Sequence, residues 1–287
     1  MINPKHATER MFLPGGIEPL KDNKLHYVDL HIIDGCNLKC ARCFKFSPLC
    51  DNKDEMDFDK VAQDIKDLAI LTNREIDGIS VIGGEPLIAS RLLDYLKLVR
   101  KELPNTDITI ITNGIAIPNM ENEFFELLKE LNVMLAISRY FEKDFYEKIE
   151  KVMAEHNCQD RYVYSQIAEM GCVLFLQMEL DEDGNSDMEE IWNLCSAKNG
   201  CVLLKDGKLW SCSNGCMKYI LNRKFGTNLI DYEEDGIEIK NHTLDEVIEH
   251  LKKPKKCCRY CTKDIYKCMY FPQPSSLDKS EWIREKK

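Results

Sequence analysis

The chain has 287 residues, 44% apolar and 31% charged, with a formal net charge of −10, enough for one sizeable domain with a packed core plus a small appendage. No apolar run reaches the ~18–20 residues of a membrane span, and residues 1–10 lack the apolar core of a secretory signal, so a cytoplasmic protein is expected. The acidic balance argues against nonspecific nucleic-acid binding, which relies on clustered Lys and Arg; the basic run Lys252, Lys253, Lys255 and Lys256 reads as a solvated face.

Residues 26–33 form a β-rich apolar run ending in Asp34-Gly35, and residues 58–71 carry helical spacing at Val61, Ile65, Leu68 and Ala69. A short strand over 78–82 is stopped by Gly83-Gly84, and an amphipathic helix over 89–103 by Pro104. Strands are then expected over 108–112, 133–138, 162–165 and 172–180, with helices over 121–131 and 143–156 between them. Such βα repeats make a parallel sheet with helices outside, and runs such as Ile79–Ile82 suit strands buried on both faces. Six strands are too few for a closed eight-stranded barrel, so the expected fold is α/β, a partial (β/α)6 TIM-like barrel over residues 1–183.

The acidic, turn-rich stretch 181–187 reads as a boundary; it lacks the spacing and closing Glu of a calcium loop. Beyond it, residues 184–271 have short strands, with a hairpin signal at Asp206-Gly207 between 202–204 and 208–210. Cysteines flank that hairpin. A unit this small has little core of its own, so a metal staple is a physical expectation. Residues 272–287, with Pro272 and Pro274, read as a tail or a short helix around Trp282.

Fourteen cysteines in a chain without a signal peptide point to metal rather than to disulfides. One set is Cys36, Cys40, Cys43 and Cys50; the other is Cys195, Cys201, Cys212, Cys216, Cys257, Cys258, Cys261 and Cys268; Cys158 and Cys172 stand apart as ordinary buried thiols. Three thiolates within eight residues, Cys36-x3-Cys40-x2-Cys43, can wrap one iron–sulfur cluster and leave one iron with open coordination. The competing reading is a zinc knuckle completed by Cys50 or His31.

This spacing, followed by Phe44 and placed after the first strand, resembles the radical S-adenosylmethionine superfamily. Gly83-Gly84-Glu85-Pro86, at the end of the second strand, is similar to the motif by which that family binds the methionine amino group of its cofactor: glycines permit close backbone approach and an acceptor suits an ammonium. Thr112-Asn113-Gly114 ends the third strand, where similar sequences lie near the cofactor. Ser138 and Arg139 end the fourth, where the family often places a group for the ribose or carboxylate, and Arg139 suits bidentate pairing with a carboxylate. Further on, Cys195, Cys201 and Cys212, with Gly207 five residues before Cys212, and then Cys258-x2-Cys261, resemble the family's C-terminal twitch domain, the shortened SPASM extension. That resemblance implies a single auxiliary [4Fe-4S] cluster on Cys212, Cys258, Cys261 and either Cys195 or Cys201; a four-thiolate structural zinc site is the rival reading.

The resemblance implies a [4Fe-4S] cluster with an open iron site, S-adenosyl-L-methionine, a reducing partner such as flavodoxin or ferredoxin, and a small substrate, sugar-like or peptide. The expected outcome is two-electron oxidation by a 5′-deoxyadenosyl radical. Peptide maturation ranks lower, because only 35 residues precede Cys36. Redox-neutral epimerisation would need a thiol to return hydrogen, for which Cys50, Cys172 and Cys216 are available; a non-catalytic zinc scaffold is the remaining alternative. No general acid or base stands out; His31, alone at the end of a strand, reads as a core residue.

Overall fold

The computed structural model describes residues 20–164, 174–177, 179–195, 198, 202–229, 233–263, 267–270 and 273–284. Cys201 and Cys172 lie outside the described residues.

Strand β1 (Tyr27–His31) leads through a long loop to α1 (Phe58–Leu71). Asp57 starts that helix by accepting from the Lys60 N–H at 3.0 Å. Then follow β2 (Gly78–Ile82), α2 (Leu92–Glu102), β3 (Asp107–Thr112), α3 (Asn122–Glu130), β4 (Val133–Ile137), α4 (Lys143–Glu155) and β5 (Tyr162–Tyr164). The remainder comprises β6 (Leu174–Gln177), α5 (Met188–Leu194), β7 (Leu203–Lys205), β8 (Lys208–Trp210), α6 (Ser213–Phe225), β9 (Gly236–Glu238), α7 (Leu244–Leu251) and β10 (Lys267–Tyr270).

One eight-stranded sheet runs in the order β5-β4-β3-β2-β1-β7-β8-β9. The six strands from β5 to β7 pair in parallel, and β7, β8 and β9 pair antiparallel. The sheet does not close on itself. It is the expected partial barrel, but its sixth parallel strand is β7, with Asp29 opposite Leu203 and Leu30 opposite Leu204. β6, which the chain order places next in the barrel, pairs antiparallel with β10 in a separate two-stranded sheet. The Val202–Leu204 run can fill the edge beside β1 because Leu203 and Leu204 are buried on opposite faces, as a strand inside a parallel sheet requires.

The alternation of side chains along each strand separates two environments. Val28 and Leu30 pack outward into the main core with Ile65 and Leu68 of α1 and with Leu96 and Val99 of α2. The other face of the sheet carries polar groups: Tyr27 lies beside Thr109 and Ser80, and His31 follows Asp29 along it. A second apolar cluster lies beyond the strand ends. It joins Phe46 and Cys50 of the first loop to Leu203, to Met217 and Ile220 of α6, and to Tyr260 and Trp282. Residues after 183 therefore share their core with the loop that follows β1.

Candidate functional site

The loop after β1 crosses the C-terminal ends of the parallel strands, where barrel proteins build their sites. Two glycines let it lie close. The Gly84 N–H donates to Ile33 O at 2.8 Å and the Glu85 N–H to Gly35 O at 3.0 Å. A Cβ on Gly84 would stand 2.2 Å from Gly35 O, and one on Gly83 2.5 Å from Ile33 O. The Gly83-Gly84 step thus welds the end of β2 to the residues just before Cys36, which no side chain larger than hydrogen permits.

Glu85 is 1% exposed. Its carboxylate accepts from Thr112 Oγ1 at 2.6 Å, from the Asn113 N–H at 2.8 Å and from the Leu87 N–H at 3.1 Å. Burial pushes its carboxyl up to about 7 against the pull of those donors. Glu85 therefore ties the end of β3 to the end of β2. The turn it fixes carries the Asn113 amide to Asn37 Oδ1 at 2.8 Å and to 3.9 Å from Cys36 Sγ. Pro86 opens the short turn beyond Glu85.

Cys36, Cys40 and Cys43 are electrostatic neighbours of one another, and Tyr140 lies beside all three. Burial pushes the Cys36 and Cys40 thiols up to about 12. Phe44, next in the chain, is 38% exposed. The Ser138 N–H donates to Thr112 O at 2.8 Å, while the Arg139 guanidinium lies 4.6 Å from the centre of the Tyr164 ring and 5.4 Å from that of Tyr146. These residues lie just beyond β4, where the Tyr140 N–H donates back to Ser138 O at 3.1 Å, and Arg139 turns toward α4.

The segment read as a tail is a strap over the cysteine loop. The Ala41 N–H donates to Gln273 O at 2.6 Å and the Ser275 N–H to Lys39 O at 2.7 Å. The Trp282 indole, fully buried, donates to Cys43 O at 3.0 Å. Glu281 accepts from the Ser275 hydroxyl at 2.8 Å and from the Arg42 N–H at 3.3 Å.

A second group of thiols gathers at the start of α6. Cys212 caps that helix, its sulfur accepting from the Gly215 N–H at 3.2 Å. The Cys257 thiol bonds both Cys212 and Cys258; those bonds push Cys257 up and hold Cys212 and Cys258 down. Cys261, raised by burial, has Cys212, Cys258 and Cys195 as neighbours. Asp235 accepts the Lys256 and Cys257 N–H groups at 2.7 Å each and so fixes the run before Cys258.

Helix α6 links the two groups. Its Tyr219 hydroxyl donates to Asp34 Oδ2, and its Arg223 bonds Asp54 at 3.0 Å and lies 3.7 Å from Cys50 Sγ. Asp34 Oδ1 is 2.8 Å from His31 Nε2. Burial lowers the His31 imidazole to about 4, so at neutral pH it is uncharged, with its Nε2–H directed at Asp34.

A family model described as "4Fe-4S single cluster domain" matches residues 27–159, the span that holds Cys36, Gly83–Pro86, Asn113 and Arg139. A GTP 3',8-cyclase of Clostridium perfringens is 25% identical over 239 residues, 81% of this chain and 64% of its own length. A GTP 3',8-cyclase of Alkaliphilus oremlandii is 27% identical over 122 residues, 42% of this chain and 37% of its own. The crystal structure of BtrN in complex with AdoMet and 2-DOIA superposes with a TM-score of 0.51 at 16% identity, covering 86% of this chain and 99% of that one. Together the matched model, the relatives and the fold support the radical S-adenosylmethionine superfamily.

The chain spans at most about two thirds of the first curated relatives it matches. A protein of that superfamily offers three thiols to one cluster, and the loop after β1 fits that demand. Buried thiols pushed up to about 12 do not ionise alone at neutral pH, whereas iron coordination supplies the compensating positive charge. Among the described residues no three His, Cys, Asp or Glu side chains converge on the point a single ion would occupy; a cluster takes its cysteines at separate corners. The second group fits a cluster through the same donor chemistry, with Cys195, Cys212, Cys258 and Cys261 from the sequence reading brought together. Sequence reasoning counted Cys257 in the second cysteine set without making it a ligand, although its tandem with Cys258 was visible, and passed over the site roles of Asn37, Tyr140 and the strap residues Glu281 and Trp282. Nothing in their local pattern marks these last four.

Among the described residues no helix is long and apolar enough to cross a membrane.

Proposed function

We propose that this radical S-adenosylmethionine enzyme oxidises a small, sugar-like substrate by two electrons. The observation that carries the reading is one fold bringing both cysteine groups to the same end of the sheet, coupled through α6 and the Asp34–Tyr219 hydrogen bond. Cys36, Cys40 and Cys43 would hold the first cluster, and Cys195, Cys212, Cys258 and Cys261 the second. When bound, these groups and S-adenosylmethionine supply a 5′-deoxyadenosyl radical to take hydrogen from a C–H bond and an acceptor for the electron left behind.

The chain's own residues do the rest. Gly83 and Gly84 would receive the cofactor's amino group, and Glu85 and Thr112 hold the Asn113 turn against the first loop. The strap from Gln273 to Trp282 covers that loop and keeps water from it. The polar inner face of the sheet, with Tyr27, Asp29, Ser80, Thr109 and His31, suits a hydroxylated substrate. That BtrN, a chain of the same fold, is seen with AdoMet and a small molecule supports a small substrate here.

The test is anaerobic reconstitution followed by incubation with panels of amino sugars, cyclitols and peptides. Oxidation of a sugar-like compound, with one 5′-deoxyadenosine formed per product, is expected. Turnover of a peptide, or sugar epimerisation without net oxidation, would replace this reading.

A further inference from the structure

Among the described residues, several buried side-chain atoms lack a hydrogen-bond partner, and four of these sit in the chain next to cysteines of the second group: Ser211 Oγ, Ser213 Oγ, Asn214 Nδ2 and Thr262 Oγ1. They are 2%, 7%, 5% and 4% exposed. Leaving such a donor unmet is costly, and a native chain rarely does so without a ligand to satisfy it. Ser211 and Ser213 flank Cys212, Asn214 follows, and Thr262 follows Cys261.

The first turn of α6 is pressed against the same thiols. A Cβ on Gly215 would stand 2.6 Å from Cys257 Sγ and 3.5 Å from Cys212 Sγ. A 13-residue helix brings unsatisfied N–H groups and the positive end of its dipole to that point. The Lys218 side chain, 1% exposed, is an electrostatic neighbour of Cys212 and Cys261, and Lys255 of Cys257 and Cys258. Asp235 is the carboxylate that offsets part of this charge.

We propose that Ser211, Ser213, Asn214 and Thr262 are positioning residues that donate hydrogen bonds to the sulfur atoms of a cluster held by the second cysteine group, and that with Lys218 they raise its reduction potential. The proposal rests on the reading of that group as a cluster site. Adding one electron to an iron–sulfur cluster increases the negative charge on its sulfurs. O–H and N–H donors and a nearby ammonium stabilise that added charge, so the one-electron couple shifts toward the reduced form. The arrangement sets this site to take up an electron rather than to give one.

The test uses the full chain carrying Cys36→Ala, Cys40→Ala and Cys43→Ala, which leaves the second group as the sole cluster site, reconstituted anaerobically. Iron analysis comes first: about four irons per chain are expected, and none, or one zinc, would remove the cluster reading itself. Ser211→Ala, Ser213→Ala, Asn214→Ala and Thr262→Val are then added singly, and the midpoint potential is read by redox titration followed by electron paramagnetic resonance. A lower potential in each variant is expected, lower still when two are combined, with Ser213→Thr retaining the parent value. An independent readout is the shift of the iron–sulfur stretching bands on exchange into D2O, present in the parent and reduced in the variants. Variants that keep four irons, the parent potential and the full D2O shift would overturn the proposal.

Discussion

Replacing Glu85 by Ala removes an acceptor that three donors share, so the loss falls first on the fold and only then on the cofactor. The Thr112 hydroxyl and the Asn113 and Leu87 N–H groups would all be left buried without their partner. Hydrogen bonds to a charged group contribute about 1.5–3 kcal/mol each. The three are not additive, because burial of the carboxylate already works against them, so a net loss of about 3–5 kcal/mol is expected. For a chain of this size that corresponds to a fall in Tm on the order of 10 °C. The assay is anaerobic thermal or urea unfolding of the metal-free protein, with S-adenosylmethionine absent. The pH dependence gives a second handle. The folded carboxyl sits near 7 against an ordinary 4.5, so the folded state binds this proton more tightly than the unfolded one. The associated stability is fully present below about pH 4.5 and is lost as the pH rises through 7, to the extent of about 3 kcal/mol. Glu85→Gln cannot titrate, so wild type should lose stability relative to that variant between pH 5 and pH 8. An Ala variant as stable as wild type, yet weaker in binding S-adenosylmethionine, would refute this account and return Glu85 to the role of a direct cofactor ligand.

Replacing Cys36, Cys40 and Cys43 by Ala should abolish 5′-deoxyadenosine formation and lower the iron content from about eight to about four per chain; continued cleavage in the triple variant would remove the loop from the chemistry. Cys258→Ala with Cys261→Ala should stop product formation while leaving slow, unproductive cofactor cleavage, read by chromatography of both products. A folded double variant lacking the second cluster but turning over normally would leave that site a structural role. Trp282→Ala should cost about 3–5 kcal/mol, as truncation of a buried aromatic does, and should speed air bleaching of the first cluster by loosening the strap at Cys43 O; unchanged bleaching would show that the strap does not shield the loop.

The sequence by itself pointed to the chemistry and the run of elements from β1 to β5. Cys36, Cys40 and Cys43 mark a candidate cluster loop by their spacing and by Gly83–Pro86 at the next strand end, because ligands within eight residues need no distant partner to be recognised. The apolar runs at Ile79–Ile82, Ile108–Ile111 and Val133–Ile137 declare buried parallel strands because both faces must be covered. The tertiary structure decided what depends on pairing between distant segments. The sequence reading counted residues 172–180 as the sixth barrel strand and put residues 202–204 in the small unit; both runs are short and apolar, and the pairing of Asp29 with Leu203 puts β7 beside β1 instead. Glu85 reads as a cofactor acceptor in one dimension, and the fold adds that it clasps β2 to β3, because its partners lie 27 and 28 residues away. The last residues read as a polar tail because Trp282 is a lone aromatic there; only the fold shows its indole meeting Cys43 O, 239 positions earlier. Local spacing carries the ligands of a metal site, whereas long-range hydrogen bonds assemble what surrounds them.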